Sequence, residues 1–269
     1  MPARFSSRRP RAAFTLIELA IALVIIGLLI GGVLAGTAML RQSELQTIVS
    51  DYGKYTQAYM QFSTQYGGAP GDLLDATNYW GDDATHCADA AVTDGSPGTC
   101  NGDGDGQIVD VGTVAARNEP FRAWQHLQLA HTIDGNYTGE TGGTYAVTDL
   151  TTIPGSNAPK SRIPNAGWSI WNNSAVIGTA AWYAQDIGNF LMFGVATGNA
   201  LTQGAALTPD EAWQVDKKVD DALPATGRVL TLKPAALANC ATSAVDASAA
   251  YNLTYAGKAC SLMMGLVAR

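Results

Sequence analysis

Glu18 is the residue whose surroundings demand most of its chemistry. From Phe14 to Leu40 the chain runs 27 residues with that one charge. A carboxylate at bilayer depth costs roughly 2.5–3.5 kcal/mol on insertion scales, so it marks a functional position and requires a partner. A second candidate is Asn101-Gly-Asp103-Gly-Asp105-Gly106-Gln107. Its side-chain oxygens fall at relative positions 1, 3 and 5, a glycine follows at 6, and Gln107 offers its backbone carbonyl at 7, which is the first half of a calcium loop. Calcium takes six to eight oxygens and this run supplies four. Gly112 stands where an EF-hand has its bidentate Glu, so Asp110, Glu119 or Asp94 would have to complete the shell. The same run also reads as an ordinary solvated turn. The calcium reading gives it a structural task, neutralising a loop that has no core of its own.

Little else points to chemistry. His86, His126 and His131 are the only histidines, and each reads as a lone surface or capping residue. No zinc-protease, nucleophile-elbow, phosphate-loop or dinucleotide motif occurs. Asp82-Asp83 and Asp220-Asp221 have the types for acid–base work, but nothing focuses them on a pocket, and turns or helix ends explain them. Trp80, Trp168, Trp171, Trp182 and Trp213 read as core rather than as a ligand platform. The sequence therefore predicts a protein that is not an enzyme.

The element that must position Glu18 is the apolar run itself. Arg4, Arg8, Arg9 and Arg11 precede it with no acid, which holds the N-terminus in the cytoplasm. As a helix the run is about 40 Å long, enough to cross a ~30 Å hydrocarbon core with tilt. A cleaved secretory signal has a shorter apolar core. Ala35-Gly36-Thr37-Ala38 imitates a signal-peptidase site, yet simple export leaves Glu18 unexplained. Arg11-Ala-Ala-Phe-Thr-Leu-Ile-Glu-Leu resembles the prepilin motif of type IV pilins and type II secretion pseudopilins. The resemblance implies cleavage between Ala13 and Phe14, methylation of the new Phe14 amine, and pairing of that cation with Glu18 of a neighbouring subunit. Ala13 stands where the family usually has Gly.

Removing the leader's arginines leaves 12 basic against 23 acidic residues, a net charge near −11. That disfavours nucleic-acid binding through a basic face. The four cysteines fall into local pairs, Cys87 with Cys100 and Cys240 with Cys260, although four cysteines allow three connectivities. An exported domain favours disulfides over free thiols. The second pair also resembles the disulfide-bounded C-terminal loop of many pilins.

Beyond Leu40 the helical pattern turns amphipathic. Leu45, Ile48, Val49, Tyr52, Tyr55, Tyr59, Met60 and Tyr66 recur at three- and four-residue steps until Gly67-Gly68 and Pro70. Residues 69–118 are turn-rich. Asn118 and Pro120 open a helix whose buried face is Phe121, Trp124, Leu127 and Leu129. Thr144–Val147, Ser169–Val176 and Asn189–Val195 read as antiparallel strands, with 180–185 ambiguous between strand and helical turn. Thr208-Pro-Asp-Glu211 is a capping box with Pro at the first helical position, and Gly227–Leu232 is strand-like. The expected class is α+β, a long N-terminal helix packed on a domain with a largely antiparallel sheet.

The expected organisation is a leader at 1–13, a long helix at 14–66 (14–40 transmembrane) and an extracytoplasmic domain at 67–269. The resemblance implies a filament subunit held first in the bacterial inner membrane and then displayed in the periplasm or on the cell surface. Its implied partners are further copies or related pilins, a prepilin peptidase, an inner-membrane platform protein and an assembly ATPase. A type II secretion pseudopilin, or an adhesin or binding module on a pilin anchor, are the rival readings.

Overall fold

The computed structural model describes residues 15–83, 87, 98–109, 118–141, 150–174, 176–198 and 200–266. The expected strand at 144–147 lies outside them, as do Ala13, Phe14, Asp94 and Asp110. The described residues confirm the α+β class: a long N-terminal helix, α1 (Leu16–Tyr66), and a four-stranded antiparallel sheet. The chain divides into two compact units, one up to Ser43 and one from Glu44 onward, and α1 contributes to both.

In the first unit α1 is exposed along its length; Leu16, Leu28 and Met39 are all more than 70% accessible. Its leucines, isoleucines and alanines favour helix, but its apolar residues lie all round, the pattern of a helix made for a non-aqueous setting. It is long and apolar enough to cross a membrane. In the second unit the apolar residues narrow to one stripe. Leu45, Ile48, Tyr52, Tyr55, Ala58, Tyr59 and Phe62 are buried. Met60, expected in the stripe, is 46% exposed, because its position turns it to the opposite face. The helix stops where Gly67 takes φ +78°, and its N–H closes on the Ser63 carbonyl at 3.0 Å.

The sheet has the order β1 (Ala166–Asn172), β2 (Asn189–Val195), β4 (Leu262–Gly265), β3 (Val229–Leu230). Trp168 pairs with Phe193 and Ile170 with Leu191 across β1 and β2. These residues, with Leu262, Met264 and Val229, form one core with the α1 stripe and with Trp124 and Leu127 of α3 (Glu119–Leu129). Tyr55 meets Trp124 and Trp168 edge-on, with ring centroids at 5.1 and 5.6 Å. The alternate residues Phe190, Met192, Met263 and Leu230 face a second cluster with Trp182, Ile187, Leu201 and Leu232. Both sheet faces are therefore covered. β4 was not expected from the sequence, and residues 180–185 form neither strand nor helix.

α2 (Ala76–Trp80) is a single short helix in the turn-rich stretch. α4 (Pro209–Val219) starts as its sequence predicts: Thr208 Oγ1 accepts from Glu211 N at 3.2 Å, and Glu211 Oε2 accepts from Thr208 N at 2.9 Å. α3 starts differently. Asn118 sits at φ +46° with no side-chain cap, and its carbonyl instead receives Phe121 N and Arg122 N. Cys87–Cys100 and Cys240–Cys260 are disulfides, with Cα atoms 5.4 and 5.0 Å apart.

Candidate functional site: the acidic loop and the start of the first helix

The loop after Cys100 is held by carboxylates from elsewhere in the chain. Asp72 Oδ1 accepts from Gly104 N at 2.6 Å and its Oδ2 from Gly106 N at 2.8 Å. Glu119, at the first turn of α3, accepts from Asp103 N at 3.3 Å and Val109 N at 3.1 Å. Asp72, Asp103 and Asp105 each bring a carboxylate oxygen within 4.8 Å of the others, a grouping able to hold a metal ion. Asp72 was not among the expected ligands, because it lies far back in the chain. Asn101 turns away, its Oδ1 receiving Thr77 N at 2.9 Å. Gln107 folds back onto Asp105, donating its N–H at 2.7 Å and its Nε2 at 3.3 Å. A groove of about 490 Å³ runs past the trio, lined by Tyr66, Leu73, Leu74, Asp72, Gly104 and Gly106.

Asp72 and Glu119 are 2% and 0% exposed, and neither has a cationic partner among the described residues. Burial pushes Glu119 up to about 8, and the charges of Asp72 and Asp103 add to the effect. Burial likewise lifts Asp72 to about 6, against the pull of the Gly106 and Gly104 N–H groups. Burial and the neighbouring acids thus work against ionisation of both buried carboxyls.

α3 supplies the polar frame beneath this loop. His126, expected at the surface, is fully buried. Its Nδ1 accepts from Gly71 N at 2.9 Å, which places the ring proton on Nε2, 2.8 Å from Thr99 Oγ1. Thr99 in turn donates to Gln125 Oε1 at 2.7 Å, which also receives Arg122 Nη1 at 2.9 Å. Burial, then the neighbouring Arg122 charge, lowers His126 to about 3, so the ring stays neutral. Asp83, expected in a solvated turn, pairs with the buried Arg122 guanidinium at 3.1 Å. Asn189 on β2 closes the other side. Its Oδ1 accepts from Ile108 N at 3.0 Å and Asn172 Nδ2 at 2.8 Å, and its Nδ2 donates to Gly106 O at 2.9 Å and Tyr59 OH at 3.0 Å.

At the start of α1, Thr15 and Glu18 form a reciprocal cap. Glu18 Oε2 accepts from Thr15 N at 2.9 Å and from Thr15 Oγ1 at 2.8 Å, while Glu18 N reaches Thr15 Oγ1 at 3.3 Å. The single carboxylate of the apolar helix thus spends its first contacts on its own N-terminal turn. Residues 8–34 match the prokaryotic N-terminal methylation motif. That motif is the signature of type IV pilins and pseudopilins, so the chain carries a pilin-type N-terminus. No curated protein and no solved structure matches the chain. The pilin-type segment covers Ala13, Phe14 and Glu18, and of these only Glu18 is among the described residues. The motif supports a pilin-like or pseudopilin-like protein, a structural rather than enzymatic class, whose apolar helix fits an inner-membrane anchor.

A second acidic trio, Asp216, Asp220 and Asp221, lies at the end of α4, away from any regular Asp-Gly spacing. Asp220-Asp221, expected in a turn or at a helix end, follow the last residue of α4, and buried Asp216 beside them was not among the expected site residues.

Proposed function

We propose that this chain is a structural subunit of a type IV pilus-like filament. The observation that carries this reading is the methylation motif placed on an exposed apolar helical run, up to Leu40, whose only charge is Glu18. A prepilin peptidase removes residues 1–13, and the Phe14 amine that it frees is methylated. The chain waits in the inner membrane with residues 14–40 as its span. Residues 67–269 form the extracytoplasmic domain, on which the amphipathic part of the 14–66 helix packs. A platform protein and an assembly ATPase then feed subunits into a filament in the periplasm or on the cell surface. Apolar helices pack together there, and the cationic Phe14 amine of one subunit meets Glu18 of its neighbour, neutralising two charges in an apolar core. Thr15 supports Glu18 before assembly and leaves it able to accept the amine.

Two substitutions test this. Glu18→Ala should leave the protein in the membrane and abolish filaments that contain it. Ala13→Leu should block processing with the same loss. Wild-type-like filaments from both variants overturn the reading.

The acidic loop has a structural part in the same subunit. Asp72, Asp103 and Asp105 hold calcium, with Glu119 behind them, and the ion binds the carboxylate oxygens gathered at the loop. Calcium at millimolar concentration should raise the melting temperature of wild type, and Asp72→Ala should remove the rise. No shift in wild type excludes calcium.

A further inference from the structure

The trio at the end of α4 joins three parts of the chain. Asp216 is 0% exposed, on the inner face of α4 with Ala212 and Val215. Its Oδ2 accepts from the Tyr251 hydroxyl at 2.8 Å, and its Oδ1 from Ala222 N at 3.3 Å. Tyr251 belongs to the loop closed by Cys240–Cys260 and pairs with Ala241 inside it. The base of that loop is already tied down, because Cys260 bridges Leu207 just ahead of α4. The Tyr251–Asp216 bond ties its far side. The third part is the turn into β3. Asp220 Oδ2 accepts from Arg228 N and Val229 N, and Asp221 accepts from Leu223 N and from the Thr226 hydroxyl.

Oxygens of the three carboxyls lie within 4.8 Å of one another. Around Asp216 the facing groups are Tyr251 from the stapled loop and Asp220 and Asp221 from the turn; no cation pairs with the trio among the described residues. The nearby basic side chains are committed elsewhere. Arg228 donates to Tyr52 OH at 2.8 Å, Lys218 to Gln46 Oε1 at 3.1 Å, and Lys217 lies over the Trp213 ring. Asp220 and Asp221 place their carboxylates beside the buried Asp216 carboxyl and so disfavour its ionisation. Ionising Asp216 leaves two remedies: a proton from solvent, or withdrawal of Tyr251 so that water reaches the carboxylate.

We propose that a proton held on Asp216, beside the Asp220 and Asp221 carboxylates, fastens the Cys240–Cys260 loop onto α4, so that the loop docks tightly in mildly acidic surroundings and loosens in alkaline ones. Burial, with Asp221 and Asp220 adding to it, pushes Asp216 up to about 7 against the pull of the Tyr251 hydroxyl and the Ala222 N–H, so the burial that docking imposes outweighs the bond it makes. A carboxyl raised in the docked state stabilises docking below its open-state value of 3.8 and loses that contribution as pH rises through 7. Between pH 6 and 8.5 the loss amounts to about tenfold in the docking equilibrium.

The test is hydrogen exchange on the full-length protein in detergent micelles with EDTA, corrected for intrinsic exchange. The amides of Thr242, Ala250 and Asn252 report the loop, and those of Leu191 and Phe193 in the sheet serve as reference. Protection of the loop relative to the sheet should fall about tenfold from pH 6 to 8.5 in wild type. In Asp216→Asn, which keeps an acceptor for Tyr251 but cannot titrate, it should stay constant. A flat wild-type profile, or an equal slope in Asp216→Asn, overturns the proposal. Should that variant misfold, carboxyl carbon NMR of wild-type Asp216 decides: a midpoint near 7 supports the fastener, and one below 5 overturns it.

Discussion

Asn189→Ala removes one side chain and four hydrogen bonds. The two bonds that matter most reach the backbone of the acidic loop, Ile108 N at 3.0 Å and Gly106 O at 2.9 Å, since backbone groups cannot turn away to find another partner. Asn189 is 9% exposed and Ile108 is 0% exposed, so water reaches this junction poorly. Leaving a buried polar group unsatisfied costs about 1–3 kcal/mol. Ile108 N is such a group, while the carbonyl of exposed Gly106 can take water in its place, and the loss comes to about 2 kcal/mol. That is a large share of the ~5–15 kcal/mol that holds an ordinary domain together. The assay is urea denaturation of a fragment beginning at Glu44, with both disulfides intact and EDTA present. A cycle with Tyr59→Phe isolates the bond from Asn189 Nδ2 to the α1 hydroxyl. The double variant should be less destabilised than the sum of the singles by about 1 kcal/mol, the worth of one neutral hydrogen bond. A loss below about 0.5 kcal/mol for Asn189→Ala, the size of a surface substitution, would refute the claim that this residue clamps the loop.

Four further outcomes follow from the same geometry. Glu119 and Asp72 titrate near 8 and 6 when folded, so the stability they confer is present below their ordinary carboxyl values and lost as pH rises through those points; the metal-free fragment should melt higher at pH 6.5 than at pH 8.5. Neutral His126, lowered to about 3, acts in the opposite sense below pH 6.5, where the unfolded chain takes its proton, so the same melting curves should flatten toward pH 5. Replacing Cys240 and Cys260 together by Ser frees a loop with sequence separation 20 and should lower stability by about 3 kcal/mol, read as a drop in the urea midpoint. Gly71→Ala places a Cβ 2.4 Å from the Glu119 carbonyl at φ +87°; this should cost about 2–4 kcal/mol and abolish any calcium-induced shift in melting temperature, since Asp72 follows directly.

What could be read from the sequence divides along physical lines. The α1 stripe and the α4 cap were legible because their signals are local: periodic apolar residues, and four consecutive residues that cap one another. β2 was legible to its exact ends, Asn189 and Val195, because turn residues bracket a continuous apolar run. β4 escaped because Leu262–Gly265 is short and buried on both faces, so it shows no alternation. α3 was half legible. Phe121, Trp124 and Leu127 marked an apolar face, but Glu119, Arg122 and His126 are buried too. Polar residues in a buried helix are recognisable only through their partners, and those partners (Asp83 and Gly71 among them) stand far off in sequence. The acidic grouping at the loop divides the same way: Asp103 and Asp105 declare themselves by spacing, while Asp72 has no spacing to declare.

These distant partners explain how a domain with so little regular structure holds its shape. Among the described residues the strands include one of two residues and one of four, and much of the remainder is turn. Such a surface exposes many backbone N–H groups that no ladder can satisfy, and buried ones must find acceptors. Here the acceptors are side chains aimed from the framework: Asp72 takes two glycine N–H groups, Glu119 takes two loop N–H groups, Asn189 takes one and returns two donors, and Asp220 takes two more. Carboxylates suit the task because charge-assisted bonds are stronger than neutral ones. Their weakness is that charge accumulates in low-dielectric surroundings. Of these hubs the asparagine is neutral and indifferent to the medium. The two acidic trios are not: as proposed, a metal ion at Asp72 and a proton at Asp216 offset their charge. The apolar core of this domain therefore sets where its loops can sit, while the ionic composition outside sets how firmly they stay there.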